Sequence, residues 1–500
     1  MKLIYGVKDR PKPGQIILFA LQQLLAILAA TIAVPIAVNG MTGSDMSISA
    51  ALFGAGAGTI VYQLFTKFKS PVFLGSSFAF IGSMAAAFAG AASMSLGYLG
   101  LLIGAVFAGL VYVIIAIAVK FAGVKWIDKI MPAAVIGPTV ALIGLSLSGS
   151  AVSSALSTAT DASGNYIMDV HAILCLLCAL VTLGVTVVCS VYGKKTLKMI
   201  PFIMGILSGY VLAAIFTGFS YIPAAESMRI IDFSVFSSMD WVPQFSFLQI
   251  FREVLVPVEG GSIGSYIGTI AVAYIPVAFV VFAEHLADHK NISSIIEHDL
   301  LTDPGLSRTL LGDGVGSIVG AAFGGCPNTT YGESIGCVAI SGNASIISIF
   351  VAAILAIVFS FIAPFVTFLS TIPSCVMGGV CIALYGFIAV SGLKMIQKVD
   401  LNENNNLFVV STILVTGVGG MALSFGQITI TAIATALILG ILVNLLVNIG
   451  SKKKGTMSAA DSADTTSEAS EKVLEKSAEA AAADAAPMTE EKESAGEDKE

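Results

Sequence analysis

The sequence predicts an all-α polytopic membrane protein with about fourteen transmembrane segments. Three observations carry this prediction. Of 500 residues, 56% are hydrophobic and 11% charged, with a mean hydropathy of +0.91, whereas soluble chains are nearer a quarter charged. Apolar stretches of roughly 20 residues, enough to span a bilayer as a helix, recur throughout, as in Ile16–Val38, Leu99–Val119 and Ile346–Phe368. The connections between them alternate between basic and non-basic.

At the N-terminus, a basic arm (Lys2, Lys8, Arg10, Lys12) leads into an apolar run that continues for a full span with no small-residue cleavage site. It reads as a retained first helix. Basic connections recur at Lys67/Lys69, Lys120/Lys125/Lys129, Lys194/Lys195/Lys198, Lys290/Arg308, Lys394/Lys398 and Lys452–Lys454. Between them fall Asn39–Ser47, Ala89–Ser95, Gly149–Val170, Gly218–Ser246 and the turn near Gly342, which have few basic residues or none. Lys and Arg accumulate on the cytoplasmic side. Both termini are therefore expected inside a cell membrane, with the second set of connections outside.

The net charge of −7 divides unevenly. From Ser451 onward there are seven Lys and thirteen Asp or Glu, with no aromatic residue. Such a segment buries too little apolar surface to offset its ordering entropy. Residues 451–500 read as a disordered acidic cytoplasmic tail, and 1–450 as the transmembrane domain, with repeats at about 15–220 and 245–449. The seven cysteines all lie in apolar context. Cys175 and Cys178 have the spacing of a metal or redox pair but no second pair, so they read as structural.

Two segments are not simple spans. Ser70–Phe80 (SPVFLGSSFAF) and Gly324–Gly336 (GGCPNTTYGESIG) are each extended, rich in proline, glycine and hydroxyl groups, and followed by a half-length apolar run to Gly90 or Gly342. Broken segments at corresponding positions of two halves mark an inverted-repeat transporter. Their exposed backbone is tolerable at membrane depth only where it lines a cavity or pairs with itself.

Ionisable residues in apolar context are functional candidates. Glu284 and Asp288 are four apart, on one face of a helix; His285 and His289 form a second stripe. Glu333 opens the second half-helix, where the dipole favours negative charge, so a purely structural cap is the bland reading. For Asp288 the bland reading is a place at the interface, next to Lys290 and Asn291. An intramembrane metalloprotease using His285 and His289 is a distant alternative, but Leu286 stands where its general base belongs. A chain with no phosphate-binding glycine loop is not an ATP-driven pump by itself. Half-helix amides, carboxylates and the aromatic rings of Phe78, Phe80, Tyr331 and Tyr385 together suit a planar, neutral, polar-edged ligand.

Three stretches resemble the uracil permeases of the nucleobase–ascorbate (nucleobase–cation symporter type two) family. They are Leu74-Gly-Ser-Ser-Phe-Ala-Phe80, Phe282-Ala-Glu-His285 and Pro327-Asn-Thr-Thr-Tyr-Gly-Glu-Ser-Ile-Gly336. Asp303–Leu306, Val376–Gly379 and Leu384–Gly386 fit as well, and the likeness covers about Val7 to Val447. The resemblance implies fourteen spans in two inverted repeats of seven, a core domain that moves against a gate domain in an elevator-like step, and a homodimer. It implies a permease and not an enzyme, with no cofactor or metal, no nucleic-acid partner, and uracil symport driven by protons. Glu284 and Glu333 would bond the ring nitrogens, and the amides of Phe78 and Gly332 its oxygens. Ser77, Tyr331 and Tyr385 would complete the pocket, and Glu284 with Asp288 would carry the coupling proton. Departures are Asp288, where uracil permeases often have His, Gln22-Gln23 for a Gln-His pair, and Ser334 and Ser341 for Asn and Thr. Asp288 looks more like the purine carriers, so xanthine or urate is the alternative substrate; Glu333 favours the uracil branch. An anion exchanger sharing the fold is the alternative of another class.

Overall fold

Apolar helices form here because backbone polar groups have no partner in hydrocarbon except one another. The computed structural model describes residues 3–448 apart from 124, 162, 195, 223–225, 260 and 426–427. The tail expected at 451–500 therefore lies outside the described residues. All the packing described here is within the unit that ends at Val443.

The first helix, α1 (Pro13–Thr42), starts with proline at its first position, where no amide is needed. Gly43, at φ 69°, ends it. Ser47 then caps α2 (Ile48–Phe65) by accepting the Ala50 amide at 3.3 Å. A three-residue strand, β1 (Leu74–Ser76), and a 3-10 turn (Phe78–Phe80) lead into the half-helix α3 (Ile81–Ala89). The chain continues through α4 (Met94–Ala122), α5 (Lys125–Ile130), α6 (Ala133–Ser146), α7 (Ser148–Leu156), α8 (Val170–Tyr192), α9 (Thr196–Met199), α10 (Pro201–Phe219) and α11 (Ser246–Gln249).

The second half opens with α12 (Ile263–Ile296), whose cap Ser262 exchanges hydrogen bonds with Ser265. Next come α13 (Leu306–Gly324), β2 (Asn328–Thr330), the half-helix α14 (Gly332–Ser341), α15 (Ile346–Ser360), α16 (Ala363–Ser370), α17 (Ser374–Ile396) and α18 (Asn404–Val418). A short hairpin, β3 (Leu423–Phe425) with β4 (Ile428–Ile430), precedes α19 (Ala432–Asn448). Among the described residues, eight helical stretches are long and apolar enough to cross a membrane, or nine with the bent pair α15–α16.

The two broken segments pair with each other. β1 and β2 run antiparallel in the register Leu74↔Thr330, Gly75↔Thr329, Ser76↔Asn328. The ladder extends by one bond at each end, from the Ser77 amide to the Pro327 carbonyl (2.9 Å) and from the Tyr331 amide to the Phe73 carbonyl (3.3 Å). Polar side chains satisfy the backbone around it. The Gln63 amide nitrogen bonds the carbonyls of Ser70 and Val72, and the Thr59 hydroxyl accepts the Leu74 amide. Ser334 accepts the Phe73 amide at 3.0 Å and a short bond from Gln23 of α1.

Beneath the ladder, α2 crosses α13 on glycines. A Cβ at Gly54 would meet the Gly320 carbonyl oxygen at 2.5 Å, and one at Gly58 the Gly316 oxygen at 2.7 Å. Small residues at this spacing let membrane helices approach closely, which is how they associate without a hydrophobic driving force.

Two expectations are corrected. Ile346–Phe368 is not a straight span, because α15 and α16 meet at 83°. Pro364 lacks the amide that would bond the Ser360 carbonyl, so it suits a helix start and not an interior. The turn near Gly342 also does not lie opposite the N-terminal arm. The Ile4 amide bonds the Gly342 carbonyl at 2.7 Å, Ala344 bonds Tyr5, and Ile346 bonds Val7. A turn of a few residues has little room for basic side chains, so their absence carries no topological signal.

Candidate functional site

Helix α12 brings Glu284 and Asp288 to one face, four residues apart, and α14 brings Gly332 and Glu333 towards them. All four line a cavity of about 350 Å³. Its remaining wall includes Ala26 of α1, Val140 of α6, Ser190 of α8, Lys198 of α9, Phe202 of α10 and Phe387 of α17. The cavity thus lies between α1, α12 and α14 on one side and α6, α8–α10 and α17 on the other.

Each acidic group has a distinct surrounding. Asp288 Oδ2 accepts the Thr330 hydroxyl at 2.8 Å, so it is tied to the strand β2. Glu284 receives no protein hydrogen bond among the described residues, which leaves both oxygens for a ligand. Glu333 is the second residue of α14, where first-turn amides have no carbonyl within the helix. Gly332 is exposed to the cavity, and a Cβ there would meet nothing within 4 Å.

A family model described as "Permease family", named Xan_ur_permease, matches residues 14–425. The chain belongs to that family of permeases. The uracil permease of Bacillus caldolyticus is 38% identical over 442 residues, which cover 88% of this chain and 93% of that one. The uracil permease of Bacillus subtilis (strain 168) is 37% identical, covering 88% and 94%. The transmembrane domain of a cyanobacterium bicarbonate transporter, BicA, superposes with a TM-score of 0.58 at 17% identity, covering 89% of this chain and 99% of that one. The anion transporter murine Solute Carrier 26 family member A9 gives 0.59 at 12%, covering 89% and 69%. At these identities the likeness is one of fold. The permease is a multi-pass membrane protein, and the family is one of transporters, not enzymes.

The aromatic residues of the permease fall into two groups, one packed around the ladder and one at the cavity. The Tyr331 hydroxyl donates to the Ser76 carbonyl at 2.7 Å, and its ring fills the space a Cβ at Gly75 would need, 2.3 Å away. Phe80 stacks on Tyr274 with centroids 5.4 Å apart. Neither residue is among those lining the cavity. Phe78 and Tyr385 meet edge-on at 5.6 Å, 8% and 2% exposed, and stand outside the lining. Ser77 is fully buried, its hydroxyl without a partner among the described residues. The rings that do line the cavity are Phe202 and Phe387, in contact at 5.9 Å. Both sit within uniformly apolar helices, where sequence offers no signal to distinguish them.

The two histidines of α12 are bonded to groups on their own and neighbouring helices, and membership of a transporter family removes the metalloprotease alternative. They stack with centroids 4.0 Å apart. His285 Nδ1 meets Asp313 Oδ2 at 2.7 Å and Nε2 meets Thr309 at 3.0 Å. His289 Nδ1 donates to the His285 carbonyl, and Nε2 meets the Tyr62 hydroxyl at 2.7 Å. Asp313, fully buried on α13, escaped the sequence reading. Its signal was a carboxylate between Gly312 and Gly314 in a segment too glycine-rich to register as apolar.

Proposed function

We propose that this permease carries a nucleobase, uracil first, across the cell membrane by proton symport. The observation that carries the reading is the convergence of Glu284, Asp288 and Glu333 with the exposed Gly332 amide on one cavity. Carboxylates accept ring N–H groups and a helix-start amide donates to a ring carbonyl. An inorganic anion would be repelled by three acidic groups. Similarity to uracil permeases over more than nine-tenths of their length supports the substrate class. Glu284 and Glu333 would hold the ring, with Phe202 and Phe387 in place of the buried aromatics. Glu284 and Asp288, sharing one helical face, would hold the coupling proton between them.

Movement of one helix group past the other, in an elevator-like step, fits a cavity bounded by both. Two inverted repeats are supported by mirrored packing, since α1 packs on α15 as α12 packs on α4. The spacing agrees: Tyr331 follows Ser77 by 254 positions, as Asn328 follows Leu74. The nine spans that include the bent pair, with α13, the half-helices α3 and α14 and the shorter apolar helices α18 and α19, bring the segments to fourteen, with both termini cytoplasmic and a homodimer as the assembly. Lys198 and Met395 line the cavity beside connections expected to be cytoplasmic, so this conformation would be open inward.

Uptake of labelled uracil into proteoliposomes tests the reading, with unlabelled xanthine and urate as competitors and with or without a pH gradient. Uracil should compete best. Stronger competition by xanthine would move the permease to the purine branch, which Asp288 favours. Asp288→Asn should retain exchange and lose gradient-driven accumulation, whereas Glu284→Gln should impair both. Accumulation in Asp288→Asn that still follows the gradient would place the coupling site elsewhere.

A further inference from the structure

A second polar cavity, of about 340 Å³, lies at the N-terminal head of α8. It is lined by Ser157, His171, Cys175, Asp232, Thr371 and Cys375, among others. Two cysteines from different helices, Cys175 of α8 and Cys375 of α17, stand together in its wall. The two helices run close here. One turn further along, a Cβ at Gly379 would meet the Ala179 carbonyl oxygen at 2.4 Å. Among the described residues no group of three or more His, Cys, Asp or Glu is arranged to hold a metal ion.

His171 gives the cluster its chemistry. Its Nδ1 is 3.1 Å from the Ser227 carbonyl, which can only accept, so Nδ1 carries a proton. In the neutral ring, Nε2 is then a free acceptor, and it lies 3.5 Å from Cys175 Sγ. A thiol beside such a base yields the thiolate that disulfide exchange requires. Cys175 itself is 1% exposed, so a reagent reaches it only through the cavity. Of the other cysteines, Cys337 lines the central cavity; Cys178, Cys189, Cys326 and Cys381 line neither.

We infer that this cavity is a thiol–disulfide exchange site for a small organic disulfide, with Cys175 the attacking thiol, His171 its base and Cys375 the resolving thiol. The Cys175 proton passes to His171 Nε2, and the thiolate attacks one sulfur of the disulfide RSSR. A Cys175–SR bond forms, the S–S bond breaks, and RS⁻ leaves, taking up the proton. The Cys375 thiolate then attacks Cys175 Sγ, and the second RS⁻ departs with the Cys375 proton. Two thiols are oxidised and one disulfide reduced, leaving a bond between α8 and α17. Other titratable groups around Cys175 are Asp169 at the head of α8, Cys178 on its own helix and Asp232 across the cavity. Hydrogen bonds from Ser234, with the charge of Arg229 also acting on it, hold the Asp232 carboxyl below its ordinary range, so charges of both signs stand near the cavity and a small disulfide of either charge serves as the probe.

The test uses the full-length protein in lipid nanodiscs, cystamine as the disulfide, and peptide mass spectrometry after acid quenching. Wild type should give a Cys175–Cys375 disulfide that dithiothreitol reverses. Cys375→Ser should trap cysteamine on Cys175. His171→Ala and His171→Gln should react roughly threefold to tenfold more slowly near neutral pH, because the gain in thiolate is partly offset by lower nucleophilicity. Their rates should rejoin wild type at about pH 9, where an ordinary thiol is mostly ionised. Using two histidine variants separates loss of the base from loss of the fold. Trapping on Cys178 or Cys337, a disulfide that excludes Cys375, or wild-type rates in both His171 variants would each overturn the assignment.

Discussion

The two broken segments share a backbone and differ in the side chains at their half-helix starts. Each has a three-residue strand, a cap residue in extended conformation, and a half-length helix, joined through one antiparallel ladder. After the cap Ser77, the first continues with Phe78 and Phe80, whose rings pack on Tyr385 and Tyr274 and close the helix start. After the cap Tyr331, the second continues with Gly332 and Glu333, which leave the start open to the cavity and add a carboxylate. The position equivalent to Glu333, by the same 254-residue offset, is Ala79. The ladder builds the architecture, and the side chains that follow it differ, so that only the second half-helix start contributes to the lining of this cavity.

Glu333→Gln is expected to break the comparison most severely. Replacing an acceptor-only group loses a charge-assisted bond of roughly 1.5–3 kcal/mol, about tenfold to a hundredfold in affinity. Calorimetric titration with uracil checks this, and an unchanged affinity would remove Glu333 from the site. Next come two alanines placed at glycines. Gly75→Ala drives a Cβ into the Tyr331 ring, an overpacking worth about 1–3 kcal/mol of stability. Gly332→Ala meets open space, so its thermal midpoint should stay at the wild-type value while uracil binding weakens. A loss of stability at Gly332 equal to that at Gly75 would mean the second helix start is closed as well. The smallest effects are expected at the caps. Tyr331→Phe loses the bond to the Ser76 carbonyl, about 0.5–1.5 kcal/mol. Ser77→Ala removes a hydroxyl that has no partner and should cost nothing measurable. Thermal denaturation of the two variants side by side measures the difference.

The sequence by itself determined the membrane class, the helices and the two broken segments, because each is written in local chemistry. Apolar length marks a span, and proline, glycine and hydroxyl residues in apolar context mark extended backbone. The i to i+4 spacing of Glu284 and Asp288 put both on one face before any contact was known. Only the tertiary structure decided which groups meet across the chain. The β1–β2 ladder joins residues more than 250 positions apart. Asp313 meets His285 on another helix, Cys175 and Cys375 come together in the wall of one cavity, and Phe202 and Phe387 are rings in the wall of another. The N-terminal arm binds the Gly342 turn across a sequence gap that charge counting had assigned to opposite faces. In a uniformly apolar helix every face reads alike, and the direction a side chain takes is set by its neighbours from elsewhere in the chain.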